Sequence, residues 1–233
     1  MRAIQPPRRY PARQSRRHLR WLPVGLLCAL LSTAHPGLDK VEATARVRYD
    51  AAVVDRVRDW RAVLVDLQGA TETEQLTQTN RYFNRRLQFL DDTVVWRNKD
   101  YWATPLESLA KRAGDCEDFV IAKYISLRLL GVPDEKLRLI YVRARMGGEH
   151  SSLSQAHMVL GYFPTPTAEP LVLDNLIGDI RAASQRPDLY PVFSFNSSGL
   201  WVRGASTASA SSTERLSRWR DLVARLRAEG FEQ

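Results

Sequence analysis

The sequence predicts an α+β domain in which N-terminal helices pack on an antiparallel sheet. Up to Gly131, apolar residues recur mostly at intervals of three and four, which is the spacing of amphipathic helices. From Leu137 onward, short β-branched and aromatic runs separated by turn residues replace that spacing. Because the helices precede the strands, the pattern is typical of the α+β class.

An N-terminal leader precedes the domain. Residues 1–20 carry seven arginines and no acidic residue, and an apolar run follows from Trp21 to Leu31. The run ends at Ser32-Thr33-Ala34, which places small residues at the positions that an export cleavage site requires. It is shorter than the roughly 20 residues of a comfortable membrane span. The pattern therefore favours a cleaved signal peptide over residues 1–34, with an uncleaved N-terminal membrane anchor as the alternative.

The leader also accounts for the basic charge of the chain. The full sequence has 34 Lys and Arg against 26 Asp and Glu, a formal charge of +8. Removal of the seven leader arginines leaves 27 basic residues against the same 26 acids, and the formal charge falls to about +1. The basic composition therefore indicates export and not nucleic-acid binding. About 200 residues remain, enough for one sizeable hydrophobic core.

Four helices are predicted before the strands. Residues 46–67 and 71–90 each carry an apolar stripe at helical spacing. The string Thr104-Pro105-Leu106-Glu107 supplies the N-cap, first-turn proline and N3 glutamate of a capping box, and Gly114 supplies a stop for that short helix. The next helix begins at Cys116 and stops before Gly131 and Pro133.

Strands and a terminal helix follow. Strands are predicted at residues 137–144, 155–162, 171–174 and about 191–196. The main domain is expected to span residues 35–203, and the Ser/Ala-rich residues 204–213 are predicted to be a linker. Residues 214–233 are predicted to form a last amphipathic helix with a basic outer face. Packing of its apolar face on the domain is the favoured interpretation, and a membrane or partner-binding role is the alternative.

Cys116 stands at the predicted start of a helix and is the only cysteine outside the leader, since Cys28 lies within it. An odd cysteine in an exported protein suggests a reactive thiol or intermolecular pairing; a buried structural cysteine is the alternative. The helix N-terminus, together with an imidazolium, can lower a thiol pKa from about 8.5 to about 3.5–7.5. The Cys116 amide would be a first oxyanion donor, and Trp102 is a candidate for the second.

His157 is the candidate base. His150 lies in a glycine-rich loop, whereas His157 lies in a predicted strand. If the hairpin turns symmetrically about Thr165 and Pro166, His157 and Asp174 are cross-strand neighbours with Cβ atoms about 4.5–5.5 Å apart. Asp174 would then fix the imidazole tautomer and stabilise its charged form. A structural role for a lone strand histidine is the alternative.

Three acidic residues, Asp115, Glu117 and Asp118, flank the candidate nucleophile. Acidic residues in a first helical turn complement the helix dipole and can cap the helix. This structural role would account for all three residues even if no ligand binds there. They also oppose ionisation of the thiol, and a bound cation would remove that penalty. Oxygen ligands of this kind suit calcium, with the turn at Asp134 and Glu135 as a further source of ligands.

Four segments together resemble the bacterial transglutaminase-like cysteine proteinases, specifically the LapG-type periplasmic proteases. The resemblance covers roughly residues 46–203 and rests on Asp100–Glu107, Gly114–Phe119, Ala156–Val159 and Leu173–Asn175. It implies a papain-like or transglutaminase-like cysteine protease fold. It also implies that Cys116 is the nucleophile, His157 the base and Asp174 the residue that orients it, with a calcium site that uses Asp115 and Glu117.

The same resemblance implies a biological role. Proteases of this type clip a large surface adhesin at an Ala-Ala pair near its N-terminus, which releases cells from biofilm. An inner-membrane cyclic di-GMP receptor restrains them by capturing the protease with its periplasmic domain. Two other functions stay open from the residues alone: acyl transfer to an amine, as in true transglutaminases, and a non-catalytic periplasmic peptide-binding module.

Overall fold

The computed structural model describes residues 36–148, 151–202 and 217–231. The predicted leader, the linker at 204–213 and His150 lie outside these ranges. Within them, none of the helices combines the length and apolar character needed to cross a bilayer.

Seven α-helices lie in the described ranges. The helix predicted over residues 46–67 is divided between the end of the first helix, most of which was not predicted, and the second. Asp50 caps the second helix by accepting a hydrogen bond from the Val53 amide, so the chain breaks where residues 46–67 were expected to be continuous. Val47, placed on the buried stripe by its spacing, is 87% exposed. The helices are α1 (Pro36–Arg48), α2 (Ala51–Asp66), α3 (Glu72–Arg86), α4 (Asp92–Val95), α5 (Pro105–Lys111), α6 (Cys116–Leu129) and α7 (Ser217–Glu229).

The strands form two sheets. A short parallel pair joins β1 to β2, and six antiparallel strands follow the order β6-β5-β4-β3-β7-β8. This arrangement confirms the predicted α+β class with an antiparallel sheet. The strands are β1 (Gln88–Phe89), β2 (Ala113–Gly114), β3 (Leu137–Arg145), β4 (Ser154–Tyr162), β5 (Leu171–Leu173), β6 (Arg181–Ala182), β7 (Leu189–Phe195) and β8 (Leu200–Val202).

Helix α6 is the central element of the core. It packs against β4 on one side and against α3 and α5 on the others. Its residues from Glu117 to Leu127 are buried, as expected for a helix that is apolar nearly all round. Met158 and Leu160 of β4 join this core, whereas Val159 belongs to a smaller apolar cluster on the outer face of the sheet. Because side chains alternate along a strand, His157 lies on the outer face with Val159.

The junction between α5 and α6 sets the position of Cys116. The predicted capping box of α5 is present, but the helix ends at Lys111 because the next residue, Arg112, takes a left-handed conformation with φ 56°. Gly114 is therefore not the stop signal predicted for it. It lies in β2, and a Cβ there would come within 2.5 Å of the Asp118 carboxylate. The glycine is needed because the Asp118 side chain occupies the space beside it.

The hairpin of β4 and β5 is shifted by two residues from the symmetrical register. Leu160 pairs with Leu173 and Gly161 with Val172, and β5 ends before Asp174. The prediction that His157 and Asp174 stand directly opposite each other was wrong. A shift of two residues keeps both side chains on the same face, however, so they can still meet diagonally.

Helix α7 packs on the domain through its buried residues Trp219, Leu222 and Leu226. The Trp219 ring lies 5.4 Å from that of Phe195. Two arginines on the same helix hold the segment that precedes α5. Arg225 donates to the carbonyl of Trp102 and to Glu107, and Arg218 pairs with Asp100 at 2.7 Å.

Candidate active site

His157 and Asp174 form a buried hydrogen-bonded pair. Nε2 of His157 lies 2.8 Å from Oδ1 of Asp174, and both side chains are almost fully buried. The Leu176 amide also donates to Oδ1, while Arg186 donates to Oδ2 at 2.8 Å. Burial alone would raise the pKa of Asp174, but the hydrogen bond and charge of His157, with Leu176 and Arg186, lower it to about 2.

This arrangement fixes the chemistry of the imidazole. An ionised carboxylate only accepts hydrogen bonds, so Nε2 of His157 must carry the proton that Asp174 accepts. The other ring nitrogen, Nδ1, is then the free acceptor in the neutral imidazole. A histidine held in this tautomer can take a proton at Nδ1 while Asp174 stabilises the resulting charge.

Cys116 begins α6 and is partly buried. Its Sγ donates a hydrogen bond to Oε2 of Glu117 at 3.0 Å. It also has a backbone hydrogen bond from Met158, the residue after His157 on β4. The sulfur therefore lies beside the histidine-bearing stretch of β4. Among the described residues, the structure pairs His157 with Asp174 and Cys116 with Glu117, and no hydrogen bond joins Sγ to His157.

The acidity of Cys116 differs from the sequence-based expectation. Burial, followed by the charge and hydrogen bond of Glu117 and the charge of Asp115, raises the pKa of the thiol well above its usual value. The helix N-terminus was expected to lower this pKa. Burial of the thiol, and then the carboxylates next to the sulfur, outweigh the helix dipole.

Acidic side chains gather around the start of α6. Ligand atoms of Asp115, Cys116 and Glu117 lie within 4.8 Å of one another, as do those of Asp92, Asp100 and Glu117. A third group of the same size joins Asp92, Asp115 and Asp118. Sequence reasoning had named Asp115 and Glu117 as metal ligands, with the turn at Asp134 and Glu135 as a further source, and had not included Asp92 or Asp100.

The cluster has the properties of a cation site. Asp115 occupies the N-cap position of α6, yet its side chain makes no capping hydrogen bond. Its Oδ1 and that of Asp92 are buried without a hydrogen-bond partner. Burial, then the charge of Glu117, raises the pKa of Asp115 to about 10, and burial raises that of Asp92 to about 6. Such carboxylates are costly to ionise by themselves and fit a hard cation with oxygen ligands.

The turn at Asp134 and Glu135 does not belong to this cluster. Asp134 lies beyond the C-terminal end of α6, about 20 Å along the helix from Cys116. Its carboxylate accepts hydrogen bonds from Tyr124 and Ser198. The suggestion that this turn supplies metal ligands was therefore wrong, because the full length of α6 separates it from the site.

The Trp102 indole is engaged by other groups in this structure. Its Nε1 donates to Oδ1 of Asp100 at 3.1 Å, and its buried ring stacks on Phe195. The indole therefore orients Asp100. The backbone amide of Cys116 stays the candidate donor.

Three residues of the site were missed by sequence reasoning. Asp92 and Asp100 come from the irregular segment around α4, and Arg186 follows a short 3-10 helix (Ala183–Gln185). No periodic pattern connects such residues to the site, since loops have no fixed period. The only signal was indirect: Asp100 opens one of the segments that resemble the protease family.

Comparisons with known proteins agree with this geometry. The family model of the bacterial transglutaminase-like cysteine proteinases (BTLCP) matches residues 58–206. A structure of Legionella pneumophila LapG is 36% identical, with a TM-score of 0.70, and the match covers 81% of this chain and 97% of that one. No curated protein matches the chain.

Two further LapG structures differ in their treatment. The EGTA-treated form is 37% identical with a TM-score of 0.71, and it is covered over 97% of its length. The calcium-bound form is 37% identical with a TM-score of 0.70, and it is covered over 98%. In both cases the match spans 81% of this chain.

Proposed function

The chain belongs to the bacterial transglutaminase-like cysteine proteinases, and from this premise we propose that it is a calcium-dependent periplasmic cysteine endopeptidase. Its substrate is a large cell-surface adhesin, cut at an Ala-Ala site near the adhesin N-terminus so that cells leave the biofilm. The observation that carries the proposal is the buried His157–Asp174 pair, with the Cys116 thiol hydrogen-bonded to the backbone of Met158, the residue after His157.

The proposed mechanism uses these three side chains in order. Nδ1 of His157 takes the thiol proton of Cys116, and the thiolate attacks the peptide carbonyl carbon. His157 then protonates the leaving amine, and a thioester is left on Cys116. A water molecule, deprotonated by His157, hydrolyses that thioester and restores the thiol. Asp174 stays ionised throughout and holds the imidazole in place.

Calcium is proposed to bind at the acidic cluster. Asp115 and Glu117 would hold it together with Asp92 and Asp100, whose carboxylates lie within reach of the same position. The ion would supply positive charge that compensates the carboxylates next to the Cys116 thiol. The partnerless buried oxygens of Asp92 and Asp115 support this assignment, as does the similarity to a calcium-bound LapG structure.

The first test is the pH dependence of Cys116 alkylation by iodoacetamide in the full chain. Peptide mass spectrometry separates Cys116 from Cys28. With calcium, the thiol should react well below its ordinary pKa, and His157→Ala should abolish that advantage. Slow labelling with a raised pKa in both metal states would overturn the protease mechanism and favour the peptide-binding module.

The second test addresses the reaction. An Ala-Ala adhesin fragment should be cut by the full chain with calcium and left intact by Cys116→Ala. Incorporation of a fluorescent amine into a glutamine-bearing protein without peptide cleavage would favour the transglutaminase reaction instead, since an amine would then resolve the thioester.

The cellular context is also proposed. The leader would export the protein to the periplasm, where it is either released or kept at the inner membrane as an anchored form. The periplasmic domain of a cyclic di-GMP receptor would capture it when the nucleotide is abundant. Cell fractionation tests the first statement, and co-purification with the receptor at high and low cyclic di-GMP tests the second.

A further inference from the structure

Arg186 is buried against the outer face of the sheet next to Asp174. Its side chain is only 2% exposed. Nη2 donates to Oδ2 of Asp174 and to Oδ2 of Asp188, both at 2.8 Å, and Nε donates to Oδ1 of Asp188 at 2.9 Å. A guanidinium group is costly to bury unless it is paired and hydrogen-bonded, so these two carboxylates offset much of that cost. Nη1 is buried and has no hydrogen-bond partner among the described residues.

The surroundings of the guanidinium strengthen its effect. The backbone turn that carries it is tied to β3, because the Arg145 amide donates to the carbonyl of Asp188 at 2.8 Å. Apolar residues of the outer sheet face line a cavity of about 140 Å³ beside Arg186, among them Val142, Val159 and Val172. Charges interact more strongly in such a poorly solvated setting than in water.

The contacts of Asp174 divide between its two oxygens. Oδ2 is occupied by Arg186, which leaves Oδ1 for the Leu176 amide and for Nε2 of His157. A carboxylate that accepts a hydrogen bond from an Arg side chain at one oxygen cannot rotate about its Cβ–Cγ bond without losing that hydrogen bond. Arg186 thereby fixes the orientation of Oδ1, the oxygen that faces His157.

Other charged groups face this pair and do not replace Arg186. Lys123 of α6 is fully buried, and burial lowers its pKa to about 7 despite the charge of Asp174. Asp188 lies on the far side of Arg186 with a third of its side chain exposed. Cys116 begins α6, near the backbone of Met158.

We propose that Arg186 is a positioning residue of the His157–Asp174 pair: it keeps the Asp174 carboxylate charged and turned toward Nε2 of His157. The inference rests on the proposed function for its catalytic meaning. The contact itself concerns only His157, Asp174 and Arg186. Its effect on the imidazole has a definite sign, because a positive charge that shares the same carboxylate disfavours the imidazolium.

The test is an NMR titration of the His157 imidazole in the full chain, assigned by difference with His157→Gln. Arg186→Gln keeps a hydrogen-bond donor but removes the charge, so the imidazole pKa should rise by about one unit or more. Arg186→Lys keeps the charge and should stay within a few tenths of wild type. The matched control is Arg181→Gln, in an exposed pair with Asp179, which should leave the titration unchanged.

A second variant keeps the proposal open to contradiction if Arg186→Gln does not fold. Asp188→Asn removes a negative charge from the far side of Arg186 and should lower the imidazole pKa, while Asp179→Asn should not. A purely structural Arg186 would reduce stability without moving the titration. Absence of a shift in both Arg186→Gln and Asp188→Asn overturns the proposal.

The outcome is separable from the fate of the proposed protease. If Cys116 alkylation does not depend on His157, the protease mechanism fails. The imidazole titration would still report whether Arg186 acts on the pair.

Discussion

At the scale of single residues, Asp174 determines what His157 can do. Asp174→Asn keeps the size of the side chain but presents an amide that can donate to Nε2 and so favours the wrong tautomer. We expect cleavage of an Ala-Ala substrate to fall by about 10⁴-fold, the loss seen when a triad aspartate is changed in this way. Asp179→Asn, an exposed change on the same connection, is the control and should keep full activity. An Asp174→Asn enzyme within tenfold of wild type would contradict the assigned role.

Lys123 is a residue whose burial should cost stability. Its Nζ has no hydrogen-bond partner among the described residues, and burial lowers its pKa to about 7. Between about pH 7 and the unfolded value of about 10.4, the unfolded chain holds one more proton, so stability rises with pH in that window. Below pH 7 the penalty is fully present.

We therefore expect Lys123→Met to stabilise the protein by about 1–3 kcal/mol at pH 7. The advantage should shrink as the pH rises toward 10. Urea unfolding at pH 6, 8 and 10 measures it, with the exposed Lys111→Met as the control. An advantage that does not depend on pH would mean that the amine is not the cause.

Residues of the site were predictable from sequence only where a regular element carried them. Cys116 is recognisable because its neighbours mark the start of a helix. His157 and Asp174 were placed on the same face of the sheet, and this stays correct because a register shift of two residues does not change the face on which a side chain lies. Asp92 begins the four-residue helix α4, and Asp100 and Arg186 lie in irregular segments. Their approach depends on tertiary packing that no local pattern encodes.

At the scale of elements, the junction from β2 into α6 depends on Gly114. A methyl group there would meet Asp118 Oδ2 at 2.5 Å, and Asp118 is itself held by the Ala103 amide at 2.7 Å. We expect Gly114→Ala to destabilise the fold by about 1–3 kcal/mol through overpacking. Thermal unfolding measures the loss, and Gly178→Ala, where a Cβ meets nothing within 4 Å, should be nearly neutral. Equal melting temperatures for the two variants would refute this reading of Gly114.

Element boundaries show the same division between local and tertiary information. The capping box at Thr104 was predicted correctly because its hydrogen bonds join residues three apart. The break at Asp50 was missed, since the apolar spacing continues across it. The role of Gly114 was misassigned because the glycine is required by the Asp118 side chain, four residues further on. That side chain comes close to Gly114 only when α6 is folded.

At the scale of the whole molecule, calcium should act on stability as well as on activity. A ligand that binds only the folded state at 100 times its Kd stabilises it by about 2.7 kcal/mol. We expect saturating calcium to raise Tm and EGTA to reverse the shift. Asp92→Asn should weaken the response and Asp179→Asn should not. A melting temperature indifferent to chelator would remove calcium from the proposal.

Without calcium, the acidic cluster predicts an unusual pH profile. The folded-state pKa values of Asp92 and Asp115 are raised to about 6 and about 10, so the folded chain binds more protons than the unfolded chain above pH 4. Stability in EGTA should therefore fall as pH rises from about 4 through 8. Calcium should flatten this slope, because it replaces the protons as the compensating charge. Denaturant midpoints at pH 5 and 8, with and without calcium, measure it.

The contacts of α7 have a consequence for how the protein is made. Arg218 and Arg225 hold the segment that carries Asp100 and Trp102, yet they belong to residues translated more than 100 positions later. During synthesis from the N-terminus, residues 36–202 would emerge while that segment still lacks these anchors. A chain halted before α7 would carry Cys116 and His157, but its acidic cluster would lack the contacts that hold Asp100 in place. The acidic cluster would therefore reach its final arrangement only after α7 has been synthesised and has packed on the domain.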